Sequence, residues 1–498
     1  MKRRGLRPSS RTYNLLLSGL SRIENWEEHS VQSKNARALW QGFLQHIENL
    51  KKLDPEHREI TSNPAAFYIS ILAANKDYNA MFDVLNSLDD EGPFSPTEFI
   101  YTKVFQSIAH RTQLAPGDNE NVRYRNASDA KLVWKELTKR AAKDSKLVSD
   151  PVIMYFIKSL AKGRPADQLY AFEVIHDYLG LSKPGEEAPP RQVEVSAITL
   201  DVVLLLCLDT QKYRLCIHYV QQLIDEAIAN GRQGPVRCVH MGRVLQSYAS
   251  MTITGSVGES DRAVETIEWM HKYHALGWDV QPQTRTYGWG LMSCWRGGNW
   301  ASAARIVELM TGCHAEDFVD GSKTSPWLDP RTRDRRSLPN ALDMSCLLRA
   351  ALVSDDVANM RQCLRMATFF GELRTPNGTK FMDVYLSQDH PSKDIPGHAS
   401  FNREEPFYSA KVASTLADVV TRVLKGTDPA ADTPEMKTWR ELRARAKTLR
   451  ESTKPRVVTP GFESETLGSA EDLKAVDRVV ERSLSTRSQQ NPGRTARR

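Results

Sequence analysis

The chain has 498 residues, too many for one compact domain and enough for several globular domains or one long repeat array. Hydrophobic residues make up 40 %, and 67 basic against 61 acidic residues leave a formal charge of +6, a mild excess that permits a nucleic-acid partner without demanding one. Seven cysteines, an odd number with no C-x-x-C among them, make a disulfide framework or a zinc site a poor fit; set in apolar stretches, they read as reduced core thiols.

Along the chain, apolar residues recur at helical spacing and strand signals are scarce. About nine helix pairs are expected, with first helices beginning near residues 11, 64, 97, 150, 197, 236, 283, 339 and 406 and partners near 34, 77, 127, 165, 211, 260, 299, 355 and 434. Asn63-Pro64, Asp150-Pro151 and Thr433-Pro434 place a capping side chain before a proline at the first helical position. Ser260 is expected to cap the helix carrying Ala263, Ile267 and Met270, with Asp261 in its first turn. Residues 21–35, 113–126, 180–192 and 317–339 are polar or Pro-rich and read as insertions. The longest apolar run, Val202 to Leu208, is far short of the roughly 20 residues a bilayer helix needs, so no membrane span is expected.

One helix pair cannot bury its apolar face alone, so neighbours must stack. The expected fold is therefore all-α, a right-handed superhelical solenoid of helix-turn-helix repeats over residues 1–370, with an ordinary α-bundle as the competing reading. Residues 371–405 read as an irregular linker and 406–452 as a C-terminal helical pair. The last helix of that pair has an apolar stripe of Trp439, Leu442, Ala446 and Leu449 beside Arg440, Arg443, Arg445, Lys447 and Arg450. Residues 453–498 read as a mostly disordered basic tail.

Three stretches share more than helicity. Gly5-Leu6-Arg7-Pro8, Gly92-Pro93-Phe94-Ser95-Pro96 and Gly277-Trp278-Asp279-Val280-Gln281-Pro282 are each followed, five residues after the last proline, by Tyr13, Tyr101 or Tyr287. The glycine is expected to close one unit's second helix, the proline to stiffen the linker, and the tyrosine to open the next first helix and pack between the two. This progression resembles the pentatricopeptide repeat family. Tetratricopeptide repeats are the closest confusion, and their Trp, Leu-Gly, Tyr and terminal Pro positions are not met.

The resemblance implies that first helices line an inner surface and that each unit presents a few side chains to one base of single-stranded RNA. The residue after the repeat tyrosine (Asn14, Thr102 and Gly288) is then the base-edge contact, and the residue after the linker proline (Ser9, Thr97 and Gln283) assists it. Gly288 has no side chain to do so, and Gln283 is atypical at its position. Met1 to Ile23 carries basic residues and no acid, which suits an organellar transit peptide, while the adjacent Tyr13 motif suits a chain that begins inside a repeat. By the same resemblance the protein is expected in the mitochondrial matrix.

No catalytic motif stands out. His57-Arg58-Glu59 has the H-x-E form of a deaminase but no C-x-x-C accompanies it, and no phosphate-binding loop, nucleophile elbow or H-E-x-x-H is present. The chain is read as a non-enzyme without cofactor. The favoured role is binding mitochondrial mRNA or rRNA in stability, processing or translation. The alternatives are a structural subunit of the mitochondrial small ribosomal subunit and a protein–protein scaffold. Trp269, Trp278, Trp289, Trp295 and Trp300 are expected chiefly in the core, and Arg285, Arg296 and Arg305 are candidate phosphate contacts.

Overall fold

The structure, a computed structural model, describes residues 8–114, 119–328, 336–375, 378–387, 405–425 and 433–452. Among them are nineteen α-helices and no strand beyond one isolated bridge, Arg374 to Lys380. No described helix is long and apolar enough to cross a membrane. The chain divides into two compact units, one up to Thr210 and one from Gln211.

The first unit holds α1 (Ser10–Leu20), α2 (Ser30–Leu53), α3 (Asn63–Ala74), α4 (Tyr78–Asn86), α5 (Glu98–Leu114), α6 (Glu120–Ala141), α7 (Asp150–Ala161), α8 (Pro165–Leu179) and α9 (Ala197–Asp209). First helices contact in series, α1 on α3, α3 on α5, α5 on α7 and α7 on α9, and each of the first four also packs on its own partner. The second unit holds α10 (Tyr213–Ala229), α11 (Cys238–Ile253), α12 (Glu259–Ala275), α13 (Thr284–Gly297), α14 (Trp300–Thr311), α15 (Ala341–Val353), α16 (Val357–Glu372), α17 (Phe381–Tyr385), α18 (Glu405–Leu424) and α19 (Pro434–Ser452). The same series runs α11, α13, α15, α18, with α12, α14, α16 and α19 as partners.

The expected helix starts match these elements closely; the largest miss is α6, which begins at Glu120 rather than near 127. The C-terminal pair is not set apart from the array, because α18 packs on α15 as the next first helix. The expected linker contains α17, whose Met382 and Tyr385 are buried and whose Tyr385 hydroxyl donates to Pro339 O at 2.5 Å. Within the 21–35 insertion, a 3₁₀ turn buries Trp26 and α2 starts at Ser30. The expected basic tail lies outside the described residues.

A hydrogen bond recurs between consecutive first helices. The start of one helix reaches the linker that leads into the next. Ser10 Oγ donates to Glu59 O (2.5 Å), and Ser62 Oγ donates to Ser95 O (2.6 Å). Ser196 N donates to Asp150 Oδ1 (3.1 Å), and Cys238 N donates to Asp279 O (3.2 Å). Thr284 and Ser337 share a bond between hydroxyls (2.7 Å). Asp150, expected as a cap, is thus used to fasten α9 to α7. Ser260 is likewise not a cap. Gly258 occupies that position in the left-handed region, and buried Ser260 donates to Ser293 O of α13 at 3.1 Å.

Candidate nucleic-acid interface

The three repeat tyrosines all stand fourth in their first helices and are all buried. Tyr13 packs its ring on Phe43 and His46 of α2. The Tyr287 hydroxyl meets His271 Nε2 of α12 at 2.9 Å and Leu309 O of α14 at 3.4 Å, so it sits between two partner helices. Burial pushes the Tyr101 phenol up to about 12. The glycines behave less uniformly. Gly277 (φ +91°) follows the end of α12 and donates to His274 O at 2.9 Å, closing that helix. Gly92 (φ +91°) lies in a turn well past α4, and Gly5 is outside the described residues.

The residues flanking the tyrosines fare differently from one another. Ser9 caps α1, accepting from Thr12 N at 3.4 Å, and Gln283 is the exposed residue before α13, its backbone N donating to Thr286 Oγ1 at 3.1 Å. Thr97 and Asn14 are half-buried, and each carries one shielded oxygen, Oγ1 and Oδ1, with no hydrogen-bond partner. Thr102 is fully buried and its hydroxyl donates back to Glu98 O at 2.9 Å. Gly288 is buried against α15, where a Cβ would lie 2.9 Å from Asp343 Oδ1. In this arrangement neither Thr102 nor Gly288 has a surface to offer a base, contrary to the role the resemblance gives them. The same fifth position is closed at Met154, Ser345 and Ser409, each at most 1 % exposed, except for Ser345 fully buried likewise, and half-buried at Phe67, Asp201 and Gly242. Of the three expected base contacts, Asn14 alone keeps a partly accessible side chain.

A second arrangement on the first helices was not visible as a motif. Arg349 of α15 places its guanidinium carbon 4.3 Å from the ring centre of Trp295 in α13, and the Arg296 guanidinium lies 5.6 Å from the same ring. Arg296 also donates to Ala249 O of α11 at 2.9 Å. Trp295 and Arg349 are half-buried, and Arg349 enters no ion pair with any described residue. Cations also lie over aromatics on α5 (Lys103 over Phe99, 5.8 Å), α7 (Lys158 over Tyr155, 5.6 Å) and α18 (Lys411 over Phe407, 5.1 Å). A half-buried arginine over an indole, with no carboxylate paired to it, can extend a stack to a base and meet a phosphate.

No family model matches this chain, and no curated protein is similar to it at a significant level.

The other expected contacts divide. Trp289 and Trp300 are in the core, while half-buried Trp269 and Trp278 pack with Tyr273, the ring centres 4.4 to 5.9 Å apart. Arg305 is committed to Glu268 and Glu308. Beside Thr97 a cleft of about 860 Å³ opens between the 90–98 linker and the end of α6, where Arg140 pairs with Asp90 and Lys143 with Glu91. His57 to Glu59 fall in the turn after α2, with Glu59 3.4 Å from His46. The cysteines are free, six of them buried, and no cluster able to hold a metal ion occurs among the described residues.

Proposed function

We propose that this chain is a pentatricopeptide-like solenoid that binds single-stranded RNA of mitochondria, mRNA or rRNA, through the exposed edges of its first helices. The observation that carries the reading is the Trp295–Arg349–Arg296 cluster on the α11–α13–α15 series. There an aromatic plane and the guanidinium of Arg349, which enters no ion pair with any described residue, stand together where α13 meets α15, with Arg296 reaching α11. Regular serial contact of first helices within each unit, and tyrosines packed between helices, support the repeat reading. Recognition in this scheme rests on stacking and phosphate contact more than on a base-by-base code, since most fifth positions are closed. Closed positions and long insertions also favour a second reading, a structural subunit of the mitochondrial small ribosomal subunit. Selection of the purified chain against a random single-stranded RNA pool at near-physiological salt separates them. Enrichment of a short motif, weakened by Trp295→Ala, supports a free RNA factor. Salt-sensitive binding without enrichment supports the ribosomal role, and absence of any binding overturns both.

A further inference from the structure

We infer that the outer face of α19 is a docking surface for the phosphate backbone of RNA, independent of base sequence. The inference rests on the RNA-binding reading above and adds a second contact to it. In α19, Trp439, Leu442, Ala446 and Leu449 are buried, and the helix lies along α18. Arg440, Arg443, Lys447 and Arg450 follow at intervals of three and four residues, which puts them in one stripe about 15 Å long beside the buried one.

What distinguishes this helix is where its charges go. Glu435 is taken by Arg365 (2.6 Å) and Arg445 by Asp383 (2.7 Å). Arg443, Lys447 and Arg450 enter no ion pair with any described residue, although Glu441 and Glu451 share the helix. In α6, which also has six cations, Arg125, Lys131, Lys139 and Arg140 are matched to carboxylates and Lys135 enters no ion pair with a described residue, so the unmatched cations there form no file. Complementing the helix dipole accounts for Arg450 in the last turn and not for Arg443 a turn and more earlier.

The apolar stripe decides the class of partner. A basic amphipathic helix that enters a membrane or a protein groove does so through its apolar face. In α19 that face is already used against α18, so only charge remains to bind with. A file of cations at helical spacing then matches a chain of phosphates, whose binding releases counterions and falls steeply with salt.

The test uses the full chain and fluorescein-labelled poly(U) and a fully paired RNA duplex, titrated across a salt series. The variant Arg443→Gln/Lys447→Gln/Arg450→Gln is expected to lose about tenfold or more in affinity for both probes at low salt. Its slope of log affinity against log salt is expected to fall by about 2 to 3, at 0.7 to 0.9 per phosphate contact. The charge-matched Lys76→Gln/Lys139→Gln/Lys143→Gln, which removes paired cations, should leave both unchanged, and Arg443→Lys/Arg450→Lys should keep both. Circular dichroism melting checks that each variant is folded. Equal losses in the two triple variants would reduce the effect to net charge and overturn the inference. An unchanged α19 variant beside a parent that binds RNA overturns it while leaving the RNA reading intact. A parent that binds neither probe overturns both readings, and capture by phosphatidylserine vesicles in its place, lost in the α19 variant, assigns the face to membranes.

Discussion

At the scale of single residues, Gly288 and Asp343 explain each other. Asp343 caps its own helix, accepting from Asn340 N at 3.1 Å, yet it is wholly buried and its Oδ1 has no partner. Burial pushes its carboxyl up to about 7, against the pull of the Asn340 amide. Room for it exists because position 288 has no Cβ. Gly288→Ala is therefore expected to cost about 1–3 kcal/mol by overpacking, read as a lowered midpoint in urea. Asp343 also sets a pH dependence. Below the ordinary carboxyl range folded and unfolded chains are both protonated and the group costs nothing. As pH rises past that range the unfolded chain ionises first, so stability falls until the folded carboxyl ionises near 7. Asp343→Asn keeps the cap and removes the charge. It should raise stability at pH 8 by on the order of 2 kcal/mol and shrink the difference between pH 5 and pH 8; an equal difference in both proteins would contradict this assignment. The sequence signals Tyr13, Tyr101 and Tyr287 because a large amphipathic ring suits a three-helix junction. It does not signal that the next residue is closed off after Tyr101 and Tyr287 and left partly open after Tyr13.

At the scale of elements, the capping prolines and apolar spacing make the helix starts legible, and five of the units lack the tyrosine for a simple reason. Ile153, Leu200, Met241 and Met344 fill the same buried fourth position with apolar bulk, and Ala66 occupies it with a single methyl. The motif is lost while the packing is kept. What spacing cannot reveal is the use of cap-type residues in tertiary contacts. Ser260 and Asp150 have the right chemistry for caps and are spent on neighbouring helices instead. The same holds for the tie between α16 and α19. Arg365 binds Asp320, Glu435 and the Phe318 carbonyl, and Arg361 joins it on Asp320. These guanidiniums hold the Asp320 carboxyl down at about 2. Its contribution is present above the ordinary carboxyl range and is lost as pH falls through that range toward 2. Partly exposed as the network is, Arg365→Ala should cost only about 1 kcal/mol globally. Its clearer effect should be faster amide exchange in α19, while exchange in α11 and α13 stays as in the parent.

At the scale of the molecule, serial contact of first helices was foreseeable from periodicity alone, because a pair of amphipathic helices cannot stand by itself. The Trp295–Arg349 pair was not, because the two residues are 54 positions apart in sequence and come together only when α13 meets α15. Trp295→Ala should weaken single-stranded RNA binding by about 1–3 kcal/mol and spare a duplex, whose bases are not free to stack, as read by titration of both. The most direct measurement is photo-crosslinking of the full chain to single-stranded RNA carrying 4-thiouridine, with the attached residues located by mass spectrometry. Crosslinks at Trp295 and its neighbours on α13 and α15, with Asn14 on α1, are the result expected of an RNA-binding first-helix edge. Crosslinks confined to the partner helices α8, α12 and α14, or none at all, would contradict it.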